Sequence, residues 1–198
     1  MKSSFEVQSN NIKDTISIYY DSNKIREQKE IELEGSLELG IKHENWFNEY
    51  THYQYHFDWL LMHSLFISSF TYFESFMRNS AKKVELKTDN YIKISDIKGN
   101  SDIDKYRKYI NLIGKIESAK NEGVLWTKIM EFKHVRNIIT HHYGRLKIRL
   151  NIVEKHDIFF GPSKSQIRIK NIAFLEDFAE TSIKYMKNIT EEFESNKG

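Results

Sequence analysis

From Glu44 to Lys87 the chain runs for more than forty residues without a glycine or a proline. Along it Trp46, Tyr50, Tyr53, Phe57, Leu60, Leu61, Phe66, Phe70, Phe73 and Met77 recur at steps of three and four residues, the period of an amphipathic helix. Unbroken, such a helix would span roughly 60 Å at about 1.5 Å per residue. That is long for a small domain, so a kink is expected between His52 and Asp58. Between Trp59 and Phe73 the run is apolar nearly all round, which marks a central helix packed on every side.

The same shortage of breakers governs the rest of the chain. One proline and eight glycines serve 198 residues, whereas sandwiches and barrels need turn residues about every 8–12 positions. Hydrophobic residues at 39 % supply a sizeable core. The expected fold is therefore all-α, a bundle of about five helices forming a single domain over residues 1–198. Residues 1–10 are polar and expected to fray. Helices are expected at about Asn11–Leu39, ending near Gly40, and then over the long run. A third starts at Ser101, with Asp104 in an acidic version of the capping box, and reaches about Asn121. The last two cover Leu125–Tyr143, with Gly144 as C-cap, and about Asn171–Glu194. Residues 146–170 differ in kind, because Leu146, Ile148, Leu150 and Ile152 alternate with polar residues and Gly161-Pro162-Ser163 follows. That pattern is a hairpin-like excursion before the C-terminal helix.

Cysteine is absent, which excludes disulfides, thiolate zinc sites and cysteine nucleophiles. No basic-then-apolar start resembles a signal peptide, and the longest uncharged stretch, Trp59 to Phe73, is too short to span a membrane. A soluble, cytoplasmic protein without a membrane partner is expected. Gly-x-Gly and Gly-Lys-Ser/Thr phosphate loops are missing. Glu49, His52 and His56 share a helix face, with His63 further along. No second half of a metal site is evident, so core or surface histidines are the better reading, and neither metal nor cofactor is expected. Tyr50, Tyr53, Tyr55, Phe57 and Trp59 are read as core or dimer contacts before stacking surfaces for bases.

The net charge of +2 hides a segregation. Residues 1–60 carry −5, residues 61–132 carry +3, residues 133–170 carry +7 and residues 171–198 carry −3. The basic segment either faces phosphates or pairs with the chain's own acidic helices.

The Leu125–Tyr143 helix enters that segment with two stripes. Leu125, Ile129, Phe132, Ile139 and Tyr143 form a core face. Trp126, Met130, His134, Asn137 and His141 fall nearly opposite at about 100° per residue, with Arg136 near the core stripe. Asn137 and His141 are one turn apart and can act on one atom. Either Trp126 and Met130 pack on a neighbour beside ordinary surface histidines, or Arg136, Asn137 and His141 form a polar site. Such a site suits RNA cleavage. A neutral histidine takes the proton of a ribose 2′-OH, an arginine fork holds the scissile phosphate, and an asparagine orients either. The products are a 2′,3′-cyclic phosphate and a 5′-OH, and the leaving-group acid would be His142 or a second subunit's His141. Glu74, the only charged residue between Trp59 and Met77, is expected to be partly buried and to pair with Arg136. Asp58 and Arg78, at the ends of the apolar stretch, are expected to be solvated.

The run Glu131-Phe132-Lys133-His134-Val135-Arg136-Asn137-Ile138-Ile139-Thr140-His141-His142-Tyr143-Gly144 resembles the signature of HEPN domains, an arginine followed after a short spacing by a histidine near the end of a late helix. Phe70-Thr71-Tyr72-Phe73-Glu74-Ser75-Phe76-Met77-Arg78 resembles the first conserved helix of many members, and the resemblance covers about residues 57–145. It implies an all-α homodimer that joins two motifs in one cleft as a metal-independent endoribonuclease acting on RNA. A toxin–antitoxin or antiphage defence setting, with an antitoxin or defence-system protein as partner, is implied as well. Other members keep only the fold, so the alternative is a non-catalytic helical module that binds a protein or a nucleotide.

Overall fold

Ser3 starts the first helix with a reciprocal cap. Its hydroxyl accepts from the Glu6 N–H at 3.1 Å and its own N–H donates to Glu6 Oε2 at 2.7 Å, a capping box that satisfies two otherwise orphaned donors. Helix α1 accordingly spans Ser4–Glu38 in this computed structural model, and residues 4–10, expected to fray, are helical. The described residues are 3–40, 45–88, 91–120, 123–141, 156, 159–160, 167–169 and 171–196. Gly40, at φ 71°, ends the first helix in the left-handed conformation that glycine adopts without strain.

Five further helices follow among the described residues. Helix α2 (Trp46–Thr51) passes through a π-helical turn at His52–His56 into α3 (Phe57–Lys87). The interruption falls where the kink was expected, and it is a widened turn. Helix α4 covers Asp102–Leu112, α5 Val124–His141 and α6 Ala173–Ser195. Strands β1 (Phe159–Phe160) and β2 (Ile167–Arg168) pair antiparallel, with Phe159 opposite Arg168 and Phe160 opposite Ile167. The chain is thus mostly helical, with the short hairpin placed before the last helix. No described helix is long and apolar enough to cross a membrane.

Helix α4 starts as expected, with the Ser101 hydroxyl accepting from Asp104 N–H at 3.4 Å, but it stops at Leu112 and not near Asn121. The cause is local. Gly114 lies so close to the preceding turn that a Cβ there would stand 2.5 Å from the Ile110 carbonyl oxygen, and Lys115 takes φ 53°. The chain leaves the helix and forms a 3₁₀ turn at Glu117–Ala119.

The described residues group into two compact units, each drawing on parts of α1, α3, α5 and α6. The first comprises residues 1–13, 69–134 and 177–198. Its core is aromatic, with Phe178 stacked on Phe70 at 5.5 Å and edge-on to Phe132 at 5.2 Å. Arg107, only 4 % exposed, is held inside this unit. It donates twice to Asp104 Oδ1, at 3.2 and 3.0 Å, and once to the Ala119 carbonyl at 3.0 Å. Its guanidinium also lies over the Trp126 ring. A buried cation needs this much compensation, because desolvation alone is prohibitive. Glu192 fastens the 3₁₀ turn by accepting from the N–H groups of Glu117 and Ser118 and from the Ser118 hydroxyl.

The second unit comprises residues 14–68 and 135–176. Trp46 is buried and donates its indole N–H to the Leu33 carbonyl at 3.0 Å, which ties α2 to α1. Asp58, expected to be solvated, instead faces Arg26 Nε at 2.9 Å, and Arg26 also grips Glu30 at 2.7 Å. The hairpin is anchored from β2. Arg168 lies over Trp59, and the Ile169 N–H donates to Nε2 of His63 at 3.5 Å. His156 packs edge-on to Phe174.

Candidate functional site on helix α5

Helix α5 does not have the single core stripe that its sequence suggested. Trp126, Ile129, Phe132, Val135 and Ile138 are buried, whereas Ile139 is only half-buried. These buried positions recur every third residue, so at about 100° per residue the buried side winds round the helix, and Trp126 and Val135 point to opposite sides. Trp126, assigned to the second stripe, is a core residue that carries Arg107 on its ring. The polar residues of that stripe are sorted differently from one another. His134 and His141 are exposed, and Asn137 is half-buried.

Arg136, Asn137 and His141 share the last two turns of α5, within the second unit. Arg136 Nη1 donates to Asn137 Oδ1 at 3.3 Å, both residues half-buried, and Arg136 Nε is withdrawn from solvent. Thr140 continues the row, its hydroxyl donating to the Arg136 carbonyl at 3.0 Å. His141 follows one turn after Asn137, exposed in the final turn. A fork donor, an amide and an imidazole therefore occupy one polar edge at a helix end. Such a set can bind a phosphodiester and exchange a proton with a neighbouring hydroxyl.

Glu74 belongs to the first unit, on α3. It is half-buried there, as its isolation in an apolar run suggested. It lines a cleft of about 390 Å³ with residues of α1, α3 and the start of α4. The sequence reading passed over the other polar residues of that cleft. Gln8 and Asn11 lay in or beside a segment expected to fray, and Arg78 was set aside as a solvated end residue. Asn11 opened the expected first helix, and only the Ser3–Glu6 capping box signalled that Gln8 sits on a formed helix as well.

His142, Tyr143, Gly144 and most of the basic segment 133–170 lie outside the described residues. His63 is buried, which pushes its pKa down to about 4, and its Nε2 accepts from the Ile169 N–H. Among the described residues no group of three or more histidine, aspartate or glutamate side chains is placed to hold a metal ion. Comparison of the chain with family models, with curated proteins and with solved structures finds no match.

Proposed function

We propose that the protein is a metal-independent endoribonuclease of the HEPN type, acting as a homodimer on RNA. The observation that supports this reading is the pre-oriented Arg136–Asn137 pair, bonded at 3.3 Å, with His141 exposed one turn further on the same helix end. His141 removes the proton from a ribose 2′-OH, and the 2′ oxygen attacks the adjacent phosphorus. As that bond forms, the P–O5′ bond breaks and an acid protonates the leaving 5′ oxygen. The acid is His141 of the second subunit or His142. Arg136 stabilises the charge gathering on the phosphoryl oxygens, and Asn137 holds the guanidinium in register. The basic segment 133–170 carries the RNA backbone, so cleavage weakens as salt is added. The toxin–antitoxin or antiphage setting and the antitoxin or defence-system partner belong to the same proposal.

The support of Arg136 by Glu74, expected from the sequence, is part of the proposal too. A double-mutant cycle on cleavage with Glu74→Gln and Arg136→Ala tests it. Additive losses count against the pairing.

The decisive experiment incubates the purified protein with RNA in EDTA, comparing wild type with His141→Ala. Cleavage to 2′,3′-cyclic phosphate ends by wild type alone is the expected result. Equal cleavage by both proteins, or none by either, overturns the reading. The Arg136–Asn137 bond also favours a second reading, a non-catalytic helical module that holds these side chains for a partner protein or a nucleotide. That reading expects no cleavage by either protein.

A further inference from the structure

The cleft of about 390 Å³ in the first unit is built from side chains of one particular kind. Gln8 and Asn11 of α1, Arg78 of α3 and Asp102 of α4 each end in a planar group that can meet two adjacent oxygen atoms at once. Tyr72 and Tyr106 add ring faces with a polar tip. Among the described residues no hydrogen bond or ion pair engages the side chains of Gln8, Asn11 or Arg78. Gln8 Oε1 is moreover buried from solvent. A buried amide oxygen without a donor is costly and is normally paired.

The charges narrow what can supply that donor. Arg78 favours an anion, but Glu74 and Asp102 share the cleft, Asp102 with Lys105 Nζ 3.2 Å from its Oδ1, so the charges there are balanced and no net positive charge attracts a phosphate or carboxylate ligand. A metal cation meets the opposite difficulty in Arg78. An apolar ligand would strand the amides and carboxylates without partners. A neutral ring with adjacent hydroxyls meets every condition. Each hydroxyl both donates and accepts, so it can satisfy acceptor-only Asp102, donor-only Arg78 and the two amides together. Its C–H faces can pack on the aromatic carbon of Tyr72, which lines the cleft. The volume is at the small end of the roughly 300–1,000 Å³ usual for ligand pockets, which suits one or two rings.

We propose that this cleft binds a small vicinal-diol compound, a sugar or a ribonucleoside, through Gln8, Asn11, Arg78 and Asp102. The assignment is independent of RNA cleavage, and its test reads binding alone.

Saturation-transfer NMR on the full chain uses methyl glucoside, methyl galactoside and methyl mannoside as pyranose probes, with uridine as the ribonucleoside. Transfer to at least one probe is expected, with the dissociation constant rising about tenfold or more in Asn11→Ala and in Arg78→Ala, a loss of at least about 1.4 kcal/mol. A pyranose response assigns a sugar and a uridine response a ribonucleoside, and 2′-deoxyuridine should then bind at least about tenfold more weakly. No transfer to any probe at about 10 mM, weaker than any useful affinity, overturns the proposal. So does binding that is unchanged in both variants, or 2′-deoxyuridine that binds as well as uridine. Arg78 is exposed and Asn11 half-buried, and unchanged circular dichroism of the variants ensures that a lost signal reports the cleft.

Discussion

The Ile169 N–H and Nε2 of His63 meet at 3.5 Å across 106 positions of sequence, and the contact joins strand-side backbone to the second turn of helix α3. It also sets the state of the imidazole. Nε2 must stay unprotonated to accept, so the ring proton sits on Nδ1. Burial, with Trp59 edge-on at 5.3 Å, pushes the pKa down from 6.5 to about 4.

Acid should therefore destabilise the fold through this residue. The unfolded chain takes up the proton near pH 6.5, while the folded chain refuses it down to about 4. Between those values the unfolded state binds more protons, so stability rises with pH across that window and levels off outside it. The whole effect is roughly 3 kcal/mol. Urea midpoints at pH 4.5 and pH 7 measure it, and His63→Gln should flatten the slope. An equal slope in the variant would show that another group carries the acid sensitivity.

Arg107 is the side chain whose loss the first unit should tolerate least. Arg107→Ala strips Asp104 Oδ1 and the Ala119 carbonyl of the guanidinium, leaving Asp104 only Lys108 and the Asn100 N–H on Oδ2, and removes the cation over Trp126. Breaking a buried pair from one side costs about 3–5 kcal/mol. Chemical denaturation should show a loss of that order, and a loss below about 1 kcal/mol would mean that Asp104 is adequately solvated without it.

Tyr185 lies close by in the same unit and should behave in the opposite way. Its ring packs against Phe73 and Trp126, but its hydroxyl is buried with no hydrogen-bond partner among the described residues. Burial pushes the phenol far above its ordinary pKa. Tyr185→Phe keeps the packing and removes an unsatisfied group, so stability should hold or rise by about 1 kcal/mol. A clear loss in thermal or urea unfolding would reveal a partner for the hydroxyl.

At the proposed catalytic edge, shape should matter more than charge. Arg136→Lys keeps the positive charge but loses the planar fork that reaches Asn137 at 3.3 Å. Single-turnover cleavage should fall by about 100-fold or more, in line with the loss of one transition-state donor. Asn137→Ala should slow cleavage less, because it loosens the guanidinium without removing it. A fully active lysine variant would count against phosphoryl recognition by Arg136.

Local signals carried well from sequence to structure. The breaker-free run became α2, a π turn and α3, with the interruption where length demanded one. Ser101 capped its helix and Gly40 ended the first, because these are contests among neighbouring backbone groups. The Ser3–Glu6 capping box was equally legible in Ser3-x-x-Glu6, and overlooking it made a helical start read as a frayed one. The Arg136–Asn137–His141 constellation is likewise local, since adjacent residues and a one-turn step place all three on one helix end.

Matters of distance were decided only by the folded chain. Periodicity assumes one buried face per helix, and α5 has a buried face that winds, so Trp126 joins the core and Ile139 leaves it. Asp58 looked like a solvated end residue until Arg26 of a different helix stood 2.9 Å away. The cleft that brings Gln8 and Asn11 to Arg78 and Asp102 has no sequence pattern at all. Hydrogen-bond geometry along a helix is fixed by the nearest few residues, and the sequence by itself determined that much. Which face is buried, and what a charge meets, depends on elements many residues away, and those only tertiary packing could bring together.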